Sequence, residues 1–159
     1  MDYLYEKQII HQKIKVPFYK VGNDMEKYFI SYLEVHVLGK CRNEGYIHPN
    51  TSDKPCSLVN YSAGLLQGND VFYDVRYQVY LCLPYESMEI DCIIKNINKI
   101  GIRAIISEEN NPMNIFISKE YNKEVNMDKY NEGDTIKIKV LGHRFEINDT
   151  FISIIGEII

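Results

Sequence analysis

The stretch MEKYFISYLEVHVLGKCRNEGYI, Met25 to Ile47, decides the reading of this chain. Met25, Phe29, Tyr32, Leu33, His36 and Val37 recur at the three-to-four spacing of one helical face, which predicts an amphipathic helix with that face buried. Asn23 is placed to cap it, with Glu26 three residues on to reach back, and Gly22 lets the chain turn in. Gly39 supplies the left-handed conformation that ends a helix. Cys41 to Ile47 then turns back through Gly45, so the helix is expected to lie across a sheet to which Tyr46 and Ile47 belong.

Upstream, Tyr3 to Val16 reads as a strand, with Ile10, Ile14 and Val16 on one face, His11, Lys13 and Lys15 on the other, and Pro17 as its stop. Pro17 to Asn23 is a loop. Downstream, His48 to Gly68 holds Pro49, Pro55, Gly64, Gly68 and many Ser and Asn, with little periodicity, and reads as a long loop or ribbon. Val71, Tyr73, Val75, Tyr77, Val79, Leu81 and Leu83 are apolar at every second position, a strand longer than the usual five or six residues. Pro84 to Ser87 marks a boundary. Beyond it five short strands are expected, Glu89–Ile97, Ile102–Ser107, Asn114–Ile117, Thr135–Leu141 and Phe151–Glu157, with a polar segment from Ser118 to Tyr130 holding a short helix. Five strands with a helix between the third and fourth is the order of an OB barrel.

Composition narrows the function. The 159 residues are 45% hydrophobic and 25% charged, with net charge −4 and a pI near 5.6. A protein that coats nucleic acid needs a basic surface, so that class is disfavoured. Residues 1–79 carry nine basic and nine acidic side chains, and residues 80–159 nine basic and thirteen acidic. Any RNA contact in the second half must therefore be a local patch. The four cysteines, Cys41, Cys56, Cys82 and Cys92, lack C-x-x-C spacing and read as buried thiols of an intracellular protein. No basic leader or membrane-length apolar run is present. Nucleotide loops, dinucleotide fingerprints and nucleophile elbows are absent too. Glu108-Glu109 reads as a solvated turn. A zinc site from Cys41, His48 and Cys56 lacks the short ligand pairing of structural sites. No cofactor or metal is expected.

Val37, Gly39 and Cys41 at the helix exit, Gly45-Tyr46-Ile47, Gly64, Gly68 and the strand ending Val75-Arg76-Tyr77 form an ordered set. With the S1-type layout of the second half, it resembles the stalk subunit of multisubunit DNA-directed RNA polymerases, known as subunit seven in eukaryotic polymerase II and present with a close counterpart in archaea. The Trp-free, Ile-, Asn- and Lys-rich composition points to an AT-rich genome such as that of a large DNA virus. The resemblance implies an α+β protein. Residues 1–83 would form a truncated ribonucleoprotein-like tip module, a helix on an antiparallel sheet, and residues 84–159 an S1-type OB-fold barrel.

The resemblance also implies roles. A noncatalytic stalk subunit docks its tip on RNA polymerase core subunits near the clamp and projects the OB fold beside the RNA exit. Carried over by position, the tip is Pro17, Phe18, Val21 and Gly22 with Gly64, Leu65, Leu66 and Gly68. The residues alone leave open whether Leu65 and Leu66 fill a partner's pocket or fold back onto their own sheet. For nascent RNA the barrel offers Lys95, Lys99, Arg103, Phe116, Lys119, Lys137 and Arg144. Here the chain departs from the S1 pattern. Ile100 and Ile102 stand where aromatic residues are usual, Phe116 follows Ile115 where histidine is common, and Met113-Asn114 replace a glycine. These departures count against strong RNA binding and leave open a rigid spacer, a weak guide for emerging transcript or a true RNA clamp. The resemblance leaves two options open, a subunit-four-like partner or loss of the surface that would bind one, and implies location in the nucleus, or in host cytoplasm and virion for a viral protein. The alternative is a free-standing OB-fold RNA-binding accessory protein; a small metal-dependent enzyme is a third class.

Overall fold

The computed structural model describes residues 4–107 and 111–159, so Glu108-Glu109 lies outside the described residues. In chain order the elements are β1 (Glu6–Pro17), α1 (Met25–His36), β2 (Cys41–Arg42), β3 (Gly45–Ile47), β4 (Ser57–Tyr61), β5 (Leu65–Gln67) and β6 (Asp70–Cys82). They continue as β7 (Glu89–Ile97), β8 (Gly101–Ile105), β9 (Met113–Ser118), β10 (Thr135–Arg144) and β11 (Ile152–Ile158). Two compact units form: Asp2–Lys40 with Ile47–Cys82, and Cys41–Tyr46 with Leu83–Ile159. Residues Cys41–Tyr46 thus group with the barrel rather than with the rest of the first 83 residues.

In the first unit β6 is the spine. Its alternation of buried and open residues fixes register, since a one-residue slip would turn Val71, Tyr73, Val75, Tyr77 and Val79 out of the core. β1 runs antiparallel along its full length, from Glu6 opposite Leu81 to Pro17 opposite Asp70. The other edge of β6 takes β5 opposite Asp70 to Phe72 and β4 opposite Val75 to Gln78, and His48 N–H donates to Tyr80 O at 2.9 Å. The alternation shifts phase at the end: Cys82 is buried, Leu81 half-buried and Leu83 exposed, contrary to the expected apolar run through Leu83.

Helix α1 buries Met25, Phe29, Leu33 and, at its C-cap, Val37, against Ile10, Ile14, Val16 and the inward residues of β6. The rings of Tyr61 and Tyr73 meet Phe29 at 4.9 and 5.1 Å, and the buried Tyr77 hydroxyl donates to Phe29 O at 2.7 Å. Truncating such an aromatic to Ala typically costs about 3–5 kcal/mol. Three expectations are corrected. Asp24, not Asn23, caps the helix, its carboxylate accepting from Lys27 N–H at 3.4 Å; the residue next to the first turn is the one within reach. His36 is exposed and packs on Tyr32, because the buried stripe drifts off it toward Val37. Gly39 has φ +72°, yet the helix has already ended with Val37 in right-handed geometry, so Gly39 makes the following turn. The segment His48 to Gly68 also differs from a plain loop: it contains β4 and β5, two edge strands whose residues stay largely exposed.

In the second unit β7-β8-β9-β11-β10 close into a barrel, with β10 returning to β7. All pairings are antiparallel except β9 with β11, the five-stranded Greek-key order of an OB fold. Inward positions alternate along each strand, and Ile90, Ile94, Ile102, Ile115, Ile117, Ile138 and Ile152 are fully buried. The short helix expected between the third and fourth strands is a single 3-10 turn, Met127–Lys129, capped by Asn126. Asn122, 4% exposed, links the barrel wall: its amide donates to Ser118 O and Gly156 O, and its oxygen accepts from Ile158 N–H at 2.9 Å. The β2–β3 hairpin joins this unit through Cys41 N–H to Asp149 O at 2.7 Å and Asn148 N–H to Cys41 O at 2.8 Å.

Candidate docking and nucleic-acid surfaces

One end of the first unit's sheet is apolar and open. Pro17 pairs with Asp70, and the next residue, Phe18, donates its N–H to Asn69 O at 2.9 Å, which sets a 3-10 turn, Phe18–Lys20, beside the β5–β6 hairpin. Gly68, with φ +64°, makes that hairpin's turn. Phe18, Leu65 and Leu66 are 62%, 58% and 58% exposed. Successive residues of a strand point to opposite faces. The two leucines are both exposed, so neither face of β5 is covered, and they do not fold back onto the sheet. Gly64 fits for want of a side chain, as a Cβ there would lie 2.5 Å from Val71 Cγ1 and 2.9 Å from Tyr73 Cζ. Val21 is half-buried in the core margin and Gly22 exposed. Tyr19, 82% exposed, completes this surface and was missed; the signal was its place beside Phe18 directly after Pro17.

The barrel groups some of the expected RNA residues and separates others. Asn96 pairs with Arg103, Arg103 with Phe116 and Phe116 with Ile155, one row across β7, β8, β9 and β11 in which Arg103, Phe116 and Ile155 all face outward and exposed. Asn98 Oδ1 accepts from Ile100 and Gly101 N–H, shaping the turn that carries Lys99 and Ile100, and Lys119 N–H donates to Ile100 O at 3.0 Å. Arg103, Phe116, Lys99 and Lys119 thus share β8, β9 and their adjoining turns, the face on which OB folds bind oligonucleotides. Lys95 is exposed on β7 at its bulge. Lys137 sits 3.7 Å from Glu89 and opposite Asp91, and Arg144 4.0 Å from Glu146, so their charges are partly offset and stand on β10, away from that group.

Cys41, Cys82 and Cys92 are buried, while Cys56 is half-buried at the rim of β4. Burial, with Asp149 adding repulsion, pushes the Cys41 thiol to about 11, and burial with Asp91 pushes Cys92 to about 12, so neither is a thiolate at neutral pH. Among the described residues, no three His, Cys, Asp or Glu side chains are grouped to hold a metal, and no helix is long and apolar enough to cross a membrane.

No protein-family model matches the chain. A protein of Acanthamoeba polyphaga mimivirus named as a DNA-directed RNA polymerase subunit is 23% identical over 177 residues, covering 98% of this chain and 82% of that protein. The chain resembles RNA polymerase subunits along almost all of its length. A second relative, DNA-directed RNA polymerase II subunit rpb7 of Schizosaccharomyces pombe, is 25% identical over 149 residues, covering 82% of this chain and 81% of that one. The resemblance to polymerase stalk subunits drawn from the ordered glycines and the S1-type layout is therefore borne out, and it includes a viral relative.

Proposed function

We propose that this chain is a noncatalytic stalk subunit of a DNA-directed RNA polymerase. Its tip module, residues 1–83 with a truncated ribonucleoprotein-like fold, docks on the polymerase core near the clamp. Its OB module, residues 84–159, stands beside the RNA exit path and touches nascent RNA weakly. The observation that carries the docking half is the cluster of Phe18, Tyr19, Leu65 and Leu66, large apolar side chains exposed at one sheet end. Exposed contiguous apolar surface of this kind fits a partner's pocket, and such anchors dominate interface energies. Pro17, Val21, Gly22, Gly64 and Gly68 shape the turns that present them. The chain contributes no catalytic residue; nucleotidyl transfer belongs to the polymerase core. A subunit-four-like partner fits the same reading. Location follows the enzyme: the nucleus in a eukaryotic cell, host cytoplasm and virion for a large DNA virus.

The test is co-purification of the tagged chain from its native source at moderate salt, beside a Leu65→Asp, Leu66→Asp variant. Both leucines are exposed, so the variant keeps its fold. The native chain is expected to bring down the two large polymerase subunits and the variant to lose them. Recovery of RNA without polymerase would replace the stalk with a free RNA-binding module.

A further inference from the structure

A trough of about 560 Å³ separates α1 from β4 in the first unit, on residues that the apolar tip does not use. From the helix it takes Glu26, Ile30 and Glu34 around a floor of Leu33, and from the strand all five residues, Ser57 to Tyr61. Successive strand residues point to opposite faces, so a wall made of all five follows the edge of β4 rather than one of its faces. That edge is open. Among the described residues β4 pairs with β6 alone, and no strand pairs along its other side. An unpaired edge is a template for another chain. Ile30, Val59 and Tyr61 are large apolar side chains left exposed beside it, and such a patch rimmed by charge marks an interaction site. Glu26 and Glu34 bracket Ile30 on the helix; both are exposed, and neither forms an ion pair among the described residues.

We infer that this trough receives an extended segment of a partner protein, one with basic side chains at positions i and i+4 and an apolar side chain between them at i+2. The spacing follows from two rises. Glu26 and Glu34 are eight helical residues apart, about 12 Å at roughly 1.5 Å per residue. Four residues of extended chain cover about 13 Å at roughly 3.3 Å each, with i, i+2 and i+4 on one face. The two cations then meet the two carboxylates, and the apolar side chain meets Ile30. The segment's backbone lies along β4, where strand addition supplies main-chain hydrogen bonds and the alternate side chains supply specificity. The register shift between Leu58 and Asn60 bends β4 at Val59, which limits the addition to a short segment. Nucleic acid and acidic segments are repelled by the same carboxylates, and a helix cannot pair with a strand edge. The inference does not rest on the polymerase assignment.

The experiment titrates the full isotope-labelled chain with a capped heptapeptide, glycine, lysine, threonine, valine, threonine, lysine, glycine, to millimolar concentration, and follows the amide signals by NMR. Saturating shifts are expected at Glu26 to Glu34 and Ser57 to Tyr61. Glu26→Gln, Glu34→Gln should weaken binding about fourfold, at roughly a factor of two for each exposed ion pair. Both positions are exposed and Gln is as good a helix former as Glu, so folding is not at stake. Glu34→Lys reverses one end: it should prefer one of the two peptides in which a single lysine becomes glutamate, and which one is preferred gives the direction of the added segment. No saturating shift at β4, an equal response to the peptide with both lysines replaced by glutamate, or unchanged affinity in the double variant overturns the inference. A helical lysine-bearing peptide that binds these residues more tightly overturns it in favour of a helix groove. Shifts at the same residues on concentrating the chain alone overturn it in favour of a second copy. None of these results bears on polymerase recovery through Leu65 and Leu66, so the two readings stand or fall separately.

Discussion

Gly64→Ala sets two penalties against each other at the tip. Nothing in the backbone forbids alanine there; the obstacle is space, with Val71 Cγ1 at 2.5 Å and Tyr73 Cζ at 2.9 Å from the new Cβ. Val71 and Tyr73 are both core residues at 7% exposure, and overpacking such a site costs about 1–3 kcal/mol. The alternative is to let β5 come off β6. That strand is a three-residue ladder, and its two leucines bury little. Its hydrogen bonds contribute about 0.5–1.5 kcal/mol each, net. Freeing its backbone returns about 1–2 kcal/mol per residue. Release is the cheaper route. The variant should therefore keep its unfolding free energy in urea to within about 0.5 kcal/mol, while the amides of Leu65 to Gln67 lose protection in hydrogen exchange and polymerase recovery falls. An unfolding free energy lowered by about 1–3 kcal/mol with β5 amides still protected would refute the reasoning, because the strand would then be held more firmly than its contacts explain.

The same substitution in the barrel has no local escape. At Gly101 a Cβ would collide with the Ile117 carbonyl oxygen and lie 3.0 Å from its carbon, both backbone of a closed sheet, so Gly101→Ala is expected to cost about 1–3 kcal/mol in urea unfolding. Tyr77→Phe removes the hydroxyl that donates to Phe29 O and leaves the ring packed; a loss of about 1 kcal/mol is expected, with helix content unchanged by circular dichroism. His48 is 5% exposed, with burial as the main cause holding its pKa below the ordinary 6.5, the bond from Nδ1 to Pro49 O opposing and Lys54 assisting. Because the unfolded chain takes up a proton that the folded one refuses, stability should fall as pH drops through 6.5 toward the lower folded value. His48→Gln should flatten that part of the stability curve, as read by thermal unfolding at a series of pH values.

The features that showed in the sequence are those where burial enforces a period. β6 and β7 were plain because one face of each is covered, and β7 falls on Glu89–Ile97 as expected. The helical face from Met25 to Leu33 was plain for the same reason. β4 and β5 left no trace because, exposed on most residues, they have no covered face to impose alternation, and only backbone pairing to β6 defines them. The cap moved by one residue because Asn23 and Asp24 are equally suited by type, and geometry chose between them. Of the barrel residues, Arg103 and Phe116 meet through a pairing of β8 with β9 that their spacing alone does not give, whereas Lys137 and Arg144 were separated by acidic neighbours supplied from other strands or turns.

The hairpin Cys41–Tyr46 carries a consequence for how the chain is made. Its base is tied early, by Gly39 N–H to Ile47 O at 2.9 Å and Ile47 N–H to Lys40 O at 3.0 Å, bonds within the first unit. Its own partners are distant: the Cys41 thiol donates to Phe151 O, 110 residues further on. At about 5–20 residues per second of synthesis, that separation is roughly 5–20 s on the ribosome. During that interval the first unit can finish folding with the hairpin held through the bonds at its base and the pairing of β3 with β6. The loop leading into the last barrel strand, β11, is therefore also the segment that gives Cys41 its hydrogen bonds, through Asn148, Asp149 and Phe151. A chain cut after residue 83 yields a C-terminal fragment that never receives the hairpin, and Asn148 N–H and Asp149 O lose their partners there.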